Sequence, residues 1–188
     1  MLIRLTLKLN RLLLILLCLI VFFTAHAQTS KTEVLWDNYG VPHIYGNTTK
    51  EMYYAFGWCQ MHSHANLILS LYAQARGRAA EYYGKQFLNG DKEVLLFNLE
   101  QQAKNSYSQQ DKEYKGYLDA FVKGMNSYAN AHADEIEKEN KQVLPVTAYD
   151  VLAHVERVLY LIFLGGNDIG NAMQLAGAGS NAMAIAHW

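Results

Sequence analysis

Cysteine is scarce in this chain of 188 residues, which contains only two. Cys18 lies in an apolar N-terminal stretch that we expect to be removed, and Cys59 alone cannot close a disulfide within the chain. The fold must therefore rest on an apolar core. Because Cys59 lies on an apolar helix face, we expect it to be packed rather than reactive.

The sequence also lacks an excess of basic charge. It holds 16 Lys+Arg and 17 Asp+Glu, with no basic block and no basic stripe interleaved with aromatic residues. This pattern gives no support to nucleic-acid binding. Without residues 1–27, which carry three of the basic and none of the acidic side chains, the net charge would be -4.

An apolar run of full membrane-spanning length is missing as well. Residues 12–23 form an apolar run of about a dozen residues, whereas a bilayer span needs roughly twenty. Residues 1–27 combine basic side chains, this run and a final Ala-His-Ala, which are the parts of a secretory signal peptide. We expect cleavage after Ala27, a mature chain that begins near Gln28, a periplasmic or secreted location and no stable membrane insertion. Retention of residues 12–23 as an anchor is the alternative.

The first structure predicted after this segment is a β-hairpin. Residues 34–36 and 41–45 read as two extended segments, and the Asp-Asn-Tyr-Gly sequence between them is typical of a turn. Pro42 should keep the second segment at an edge.

A long helix is predicted next. Thr48 followed by Glu51 resembles a capping box, and the helix should end near Gly77 or Gly84. The apolar run at residues 94–99 fits either a strand or a helix.

Two more helices are predicted in the second half of the chain. The first has apolar residues at three- and four-residue steps, which we expect in the core: Tyr114, Leu118, Phe121, Val122, Met125 and Tyr128. Residues 133–142 are charged and should be solvated. Thr147 with Asp150 forms a second capping signal. The helix that it starts carries Val151, Leu152, Val155, Val158, Leu159 and Ile162.

The composition changes at Gly165. Five of the 13 glycines lie between Gly165 and Gly179, which predicts a flexible, exposed connector. Residues 180–188 then alternate like an opening strand and stop, which suggests a truncated chain.

Ser180, at the end of this connector, is a candidate nucleophile. A serine hydroxyl needs a base, and a serine at a chain terminus carries its own, because a free α-amino group titrates near neutrality. The same hydroxyl could attack the carbonyl of Gly179 and so cut the chain. By itself, a Gly-Ser-Asn sequence is more often an ordinary linker before a strand.

Four blocks of sequence, in order, favour a nucleophile over an ordinary linker serine. Residues 36–45, 54–60, 75–84 and 179–184 resemble the penicillin and cephalosporin acylase family, whose members also include acylases of N-acyl homoserine lactones and of acylated cyclic peptides. The resemblance covers nearly all of the mature segment.

The resemblance implies an α+β fold, an αββα sandwich in the full-length protein, of which this fragment is mostly the helical α chain. It implies an exported precursor with residues 28–165 as the α chain, 166–179 as a spacer and 180–188 as the start of the β chain. The α chain would then pair with its own β chain in a heterodimer. No cofactor is expected.

The resemblance also implies a reaction. Ser180, freed by autocleavage between Gly179 and Ser180, would hydrolyse a linear amide bond in a small-molecule N-acyl substrate: a β-lactam side chain, an N-acyl homoserine lactone or an acylated peptide. Tyr160 and Phe163 are candidate substrate-binding residues, because the last α-chain helix lines the acyl pocket in relatives. Core packing is the alternative role for both.

The sequence departs from the family in two places. Residues 61–65 read Met-His-Ser-His-Ala where many relatives carry Ala-Gln-Asp-Arg, and Met183 stands where tryptophan is common. His62 and His64 would point about 200° apart on a helix, so no metal site is expected there. Arg76, Arg78 and Glu81 are expected to form a charged cluster that holds a helix end.

The fragment alone is predicted to be inactive, because the oxyanion donors of the family lie mainly in the β chain. A different class remains open from the sequence: an exported, non-catalytic helical binding protein with a Gly-rich tail.

Overall fold

Two short strands open the part of the protein that the computed structural model describes, residues 32–160. β1 (Glu33–Trp36) pairs antiparallel with β2 (Pro42–Tyr45). Val34 lies opposite Ile44. The predicted hairpin is confirmed, and Pro42 lies in a two-stranded sheet, where it interrupts no central strand.

Asp37 organises the turn of the hairpin. Its carboxylate accepts hydrogen bonds from the N–H groups of Tyr39 at 2.8 Å and Val41 at 2.9 Å. These bonds, that from Val41 above all, lower the pKa of Asp37. Gly40 has a φ of 76°, which explains why glycine occupies the last turn position.

Helices make up most of the remaining described residues. They are α1 (Thr49–Ala75), α2 (Ala79–Tyr83), a 3-10 turn (Lys85–Phe87), α3 (Leu88–Leu96), α4 (Leu99–Gln109), α5 (Lys112–Ala131), a second 3-10 turn (Asn140–Val143) and α6 (Ala148–Arg157). The prediction of a mostly helical segment is confirmed.

The long helix α1 begins and ends where local signals place it. The Thr48 hydroxyl accepts from the Glu51 N–H at 3.2 Å, while the Glu51 carboxylate accepts from Asn47 rather than closing a full capping box. The chain leaves the helix through Gly77, whose φ is 64°. Inside α1 the backbone of His64 is non-helical, with φ -146° and ψ 32°, so the helix is kinked there.

α1 and α5 cross at two glycines. A Cβ at Gly57 would lie 2.0 Å from the carbonyl oxygen of Phe121, and one at Gly124 would lie 1.9 Å from that of Tyr54. Each helix therefore presents a bare backbone to the other, and only glycine permits this approach.

The core lies between α1, α5 and the second 3-10 turn. Its buried apolar residues include Cys59, Met61, Leu69, Tyr72, Val122, Met125, Tyr128, Ile136, Val143 and Val146. The predicted packing of Cys59 and of the α5 stripe is confirmed, except that Tyr114 is 39% exposed because it lies in the first turn, away from the crossing. Val155 on α6 and Leu159 in the turn that follows it are each 47% exposed.

One stretch predicted to be solvated is partly buried. Within residues 133–142, Ile136 is 3% and Asn140 2% exposed. The Asn140 amide donates to the Oδ1 of Asn66 at 3.0 Å and accepts from the Tyr83 hydroxyl at 2.5 Å. The segment is charged on its outer side and attached to α1 through the buried Asn140 and the partly buried Asn66.

Candidate functional site at the end of the last helix

The residues predicted to carry the chemistry divide between described and undescribed parts of the chain. Gly179, Ser180 and Phe163 lie outside the described residues. Tyr160 is the last described residue; it follows α6 in a π-helical turn over residues 158–160 and is 41% exposed. The described structure therefore shows how α6, the helix that precedes these residues, is attached to its neighbours.

The start of α6 is fixed by the predicted capping box, which is confirmed. The N–H of Thr147 donates to the Asp150 carboxylate at 2.6 Å, and the Thr147 hydroxyl bonds to the same oxygen at 2.9 Å. A carboxylate in the first turn also interacts favourably with the helix dipole. The first turn of α6 is thus defined by its own sequence.

The same Asp150 carboxylate binds Arg76 at the C-terminal end of α1. Arg76 Nε lies 2.6 Å from Oδ1 and Nη2 lies 2.8 Å from Oδ2, with side-chain exposures of 19% for Arg76 and 6% for Asp150. Burial alone would lower the pKa of Arg76, but the hydrogen bond and charge of Asp150 outweigh it and raise the pKa. We call this bidentate pair the Arg76–Asp150 clamp.

The clamp corrects the predicted charged cluster. Arg78 does pair with Glu81, at 2.8 Å, but both side chains are more than half exposed. Arg76 does not join them, because its guanidinium turns inward to Asp150, 74 residues away. Sequence offered no signal for a partner so distant along the chain.

Further along α6, two hydrogen bonds attach the helix to its neighbours. Glu156 accepts from the Ser106 hydroxyl on α4 at 2.7 Å, and Arg157 donates to the Gln74 side chain on α1 at 2.7 Å. α6 is therefore held at both ends by bonds to α1 and α4.

His154, on α6, is an unusual member of this region. Its ring lies 5.8 Å from that of Tyr72, and its Nδ1 is buried without a hydrogen-bond partner among the described residues. Burial, and secondarily the charge of Arg157, lowers the pKa of His154. The imidazole is accordingly held in its neutral form at pH 7.

Two open grooves flank the start of α6. The larger, about 640 Å³, lies between α4, α5 and the Thr147 segment and is lined among others by Tyr107, Asp119 and Lys123. The smaller, about 290 Å³, borders the Arg76–Asp150 clamp. This smaller groove is lined by three cationic side chains: Arg76, Arg78 and Lys104. Each of them pairs with a carboxylate in the described structure, so their charge is already neutralised. Tyr160 is not among the lining residues of either groove.

Neither a metal cluster nor a membrane helix occurs in residues 32–160. No group of three or more His, Cys, Asp or Glu side chains there could hold a metal ion. None of the helices in this part of the chain is both long enough and apolar enough to cross a membrane.

The fold of the described helices is shared with an acylase. A solved structure of the thermostable penicillin G acylase from Alcaligenes faecalis superposes with a TM-score of 0.64 at 18% identity, covering 80% of this chain and 83% of that chain. At this identity the likeness shows the fold alone. The class it defines is a helical fold shared with that structure.

The family follows from sequence. The penicillin amidase family model matches residues 31–186, so the chain belongs to the penicillin amidase family.

Curated relatives agree with this assignment. The chain is 27% identical over 97 residues to the acyl-homoserine lactone acylase QuiP of Pseudomonas fluorescens (strain Pf0-1), covering 52% of this chain and 12% of that protein. It is 24% identical over 121 residues to penicillin G acylase of Escherichia coli, covering 64% of this chain and 14% of that protein. Membership of the family supports acyl-amide hydrolysis as the general class of activity and does not favour a non-catalytic binding protein.

Proposed function

We propose that this chain is the front part of an exported acylase precursor in which Ser180 becomes the N-terminal nucleophile. The observation that carries the proposal is the family match, which runs through the Gly179–Ser180 bond to residue 186. The four matching blocks and the Gly-rich connector before Ser180 support the same assignment.

The proposed chemistry begins with autocleavage. The Ser180 hydroxyl attacks the carbonyl of Gly179, and hydrolysis of the resulting ester leaves Ser180 with a free α-amino group. That amine then takes the hydroxyl proton as the oxygen attacks a substrate amide. The amine product leaves with a proton, and water hydrolyses the acyl-enzyme to release the acid.

The substrate class is a linear N-acyl amide. The relatives' names include both a penicillin G acylase and acyl-homoserine lactone acylases, and an acylated peptide belongs to the same chemical class. Tyr160, exposed beyond α6, and Phe163 are proposed to contact the acyl group. The clamp and the bonds of Glu156 and Arg157 would set the direction from which these aromatic side chains reach it.

The partner and the location follow the same reasoning. Residues 28–165 would form the α chain, paired with a β chain that starts at Ser180 after loss of the spacer 166–179, and together they would build the αββα sandwich. Residues 1–27, as a signal peptide, would direct the precursor to the periplasm or outside the cell.

The test is expression of the gene with its complete downstream reading frame, followed by N-terminal sequencing of the mature chains. Two chains are expected, the larger beginning Ser-Asn-Ala-Met, together with release of amine from N-acyl amides. Ser180→Ala should remain a single inactive chain. A single uncut chain in the unsubstituted protein would overturn the proposal.

A further inference from the structure

His62 lies where the hairpin meets the helical body. Its ring centroid is 4.8 Å from that of Trp36 on β1 and 5.4 Å from that of Trp58, one turn earlier on α1. The His62 ring is tilted 39° to Trp36 and lies within 19° of parallel to Trp58. One imidazole therefore touches the indoles of two different elements.

The groups around His62 carry a defined charge pattern. The edge of Tyr128 faces it at 5.9 Å, and His132 stacks on Tyr128 at 4.4 Å. Glu135 accepts a hydrogen bond from the Tyr128 hydroxyl and pairs with His132 Nδ1 at 3.0 Å. The bond from Tyr128, then the bond and charge of His132 and the charge of His62, lower the pKa of Glu135. A carboxylate therefore faces both histidines in mild acid.

Within residues 32–160, few other side-chain contacts hold the hairpin against α1. The hydroxyl of Thr32, just before β1, donates to Glu51 at 3.2 Å. Ile44 borders an open apolar groove of about 260 Å³ with Met52, Tyr53 and Phe56 of α1, so the packing there is incomplete. A modest change in the His62 contact should therefore alter the docking of the whole hairpin.

We propose that His62 is a proton-responsive latch, whose imidazolium form holds the hairpin against α1 more tightly than its neutral form does. A cation against an indole face gains an electrostatic attraction that a neutral ring lacks, and Glu135 adds a second attraction. His132, when protonated, opposes this through repulsion, but its charge is offset by its pairing with Glu135. The latch stands independently of the proposed acylase function.

Hydrogen exchange of the β1 and β2 amides in the full chain tests the latch. After correction for intrinsic exchange rates, protection in the hairpin should rise roughly two- to five-fold as the pH falls from 8 to 5.5, the range given by a cation–π contact at an exposed site. His62→Gln should abolish this rise. Protection that does not change with pH, or an equal rise in His62→Gln, would overturn the proposal.

Matched variants test whether His62 causes the rise in hairpin protection at low pH. His64→Gln replaces an exposed histidine on the same helix, and Glu51→Gln replaces a carboxylate that contacts the hairpin segment; both should keep the rise. If His62→Gln loses its helical circular dichroism, Trp36→Phe decides instead, because a smaller ring face should reduce the rise. An unchanged rise in Trp36→Phe would count against the latch.

Discussion

Gly57 and Gly124 set how closely α1 approaches α5. Because the atoms that a Cβ would meet are carbonyl oxygens of the opposite helix, no side-chain rotation can make room. We expect Gly124→Ala to reduce the free energy of unfolding by about 1–3 kcal/mol or more, the usual cost of overpacking a core. Urea denaturation followed by circular dichroism measures this change.

Gly90 provides the control. It lies in α3 with nothing within 4 Å of an added Cβ. Gly90→Ala should therefore stabilise the protein by about 0.5–1 kcal/mol through helix propensity alone. Equal effects of the two substitutions would show that the α1–α5 crossing is looser than described.

His154 makes stability depend on pH. Its pKa is lowered in the folded chain, so the unfolded chain binds the proton first. The stabilisation from the neutral ring is complete above the unfolded value of about 6.5 and is lost as the pH falls towards the lowered folded value. Unfolding free energies measured from pH 7.5 to 5 should decrease in the unsubstituted protein and decrease less in His154→Phe.

His64→Phe is the matched comparison for this pH dependence, since His64 is exposed. It should leave the slope of stability against pH unchanged. The assignment to His154 fails if both variants flatten the slope to the same extent.

At the level of elements, the Arg76–Asp150 clamp joins the end of α1 to the start of α6. Removing one partner of a buried ion pair leaves an uncompensated charge and costs about 3–5 kcal/mol. Asp150→Ala should show a loss of that order in denaturant unfolding, part of it from the lost cap. Arg76→Lys should also destabilise, because lysine cannot form the bidentate bond.

The exposed pair Arg78–Glu81 tests whether burial is the reason that breaking the Arg76–Asp150 clamp is costly. Glu81→Ala should give no measurable change in the same unfolding experiment, since solvent screens an exposed pair. If Glu81→Ala and Asp150→Ala were equally costly, the clamp would not be the main attachment of α6.

Elements with local signals were predictable from sequence, and those without were not. The hairpin, the caps at Thr48 and Thr147 and the stripe of α5 each depend on residues within a few positions. These predictions are confirmed, except that Thr48 and Glu51 do not close a full capping box and Tyr114 is exposed. α4 was missed because only Leu99 and Ala103 of its residues are fully buried, which leaves too little apolar pattern. Burial of Asn140 depends on Asn66, 74 residues earlier, which no local pattern reveals.

For the molecule as a whole, the candidate site was proposed only through the family resemblance. Gly179-Ser180 taken alone indicates a linker, and the match through residue 186 is what favours a nucleophile. Tyr160 was singled out through the resemblance, because the last α-chain helix lines the acyl pocket in relatives. The bonds that orient α6 come from Gln74, Arg76 and Ser106. Those contacts required the structure.

The 188-residue chain by itself should not hydrolyse amides. The proposed oxyanion donors belong to a β chain, and the chain spans only 12 to 14% of the length of the relatives QuiP and penicillin G acylase named above. Amine release from N-phenylacetyl and N-acyl homoserine lactone substrates should stay at the uncatalysed rate. Turnover that Ser180→Ala abolished would show instead that these residues suffice.

The side-chain hydrogen bonds that fix α1 also determine when α1 can complete its packing during synthesis. Tyr54 bonds to Ser127, Asn66 to Asn140 and Gln74 to Arg157, at separations of 73, 74 and 83 residues. Contacts so distant along the chain form late, because a long loop must close before they are made. When only α1 has left the ribosome, its partners Ser127, Asn140 and Arg157 have therefore not yet been released. Such a nascent chain would not have all three of these contacts until α6 emerges.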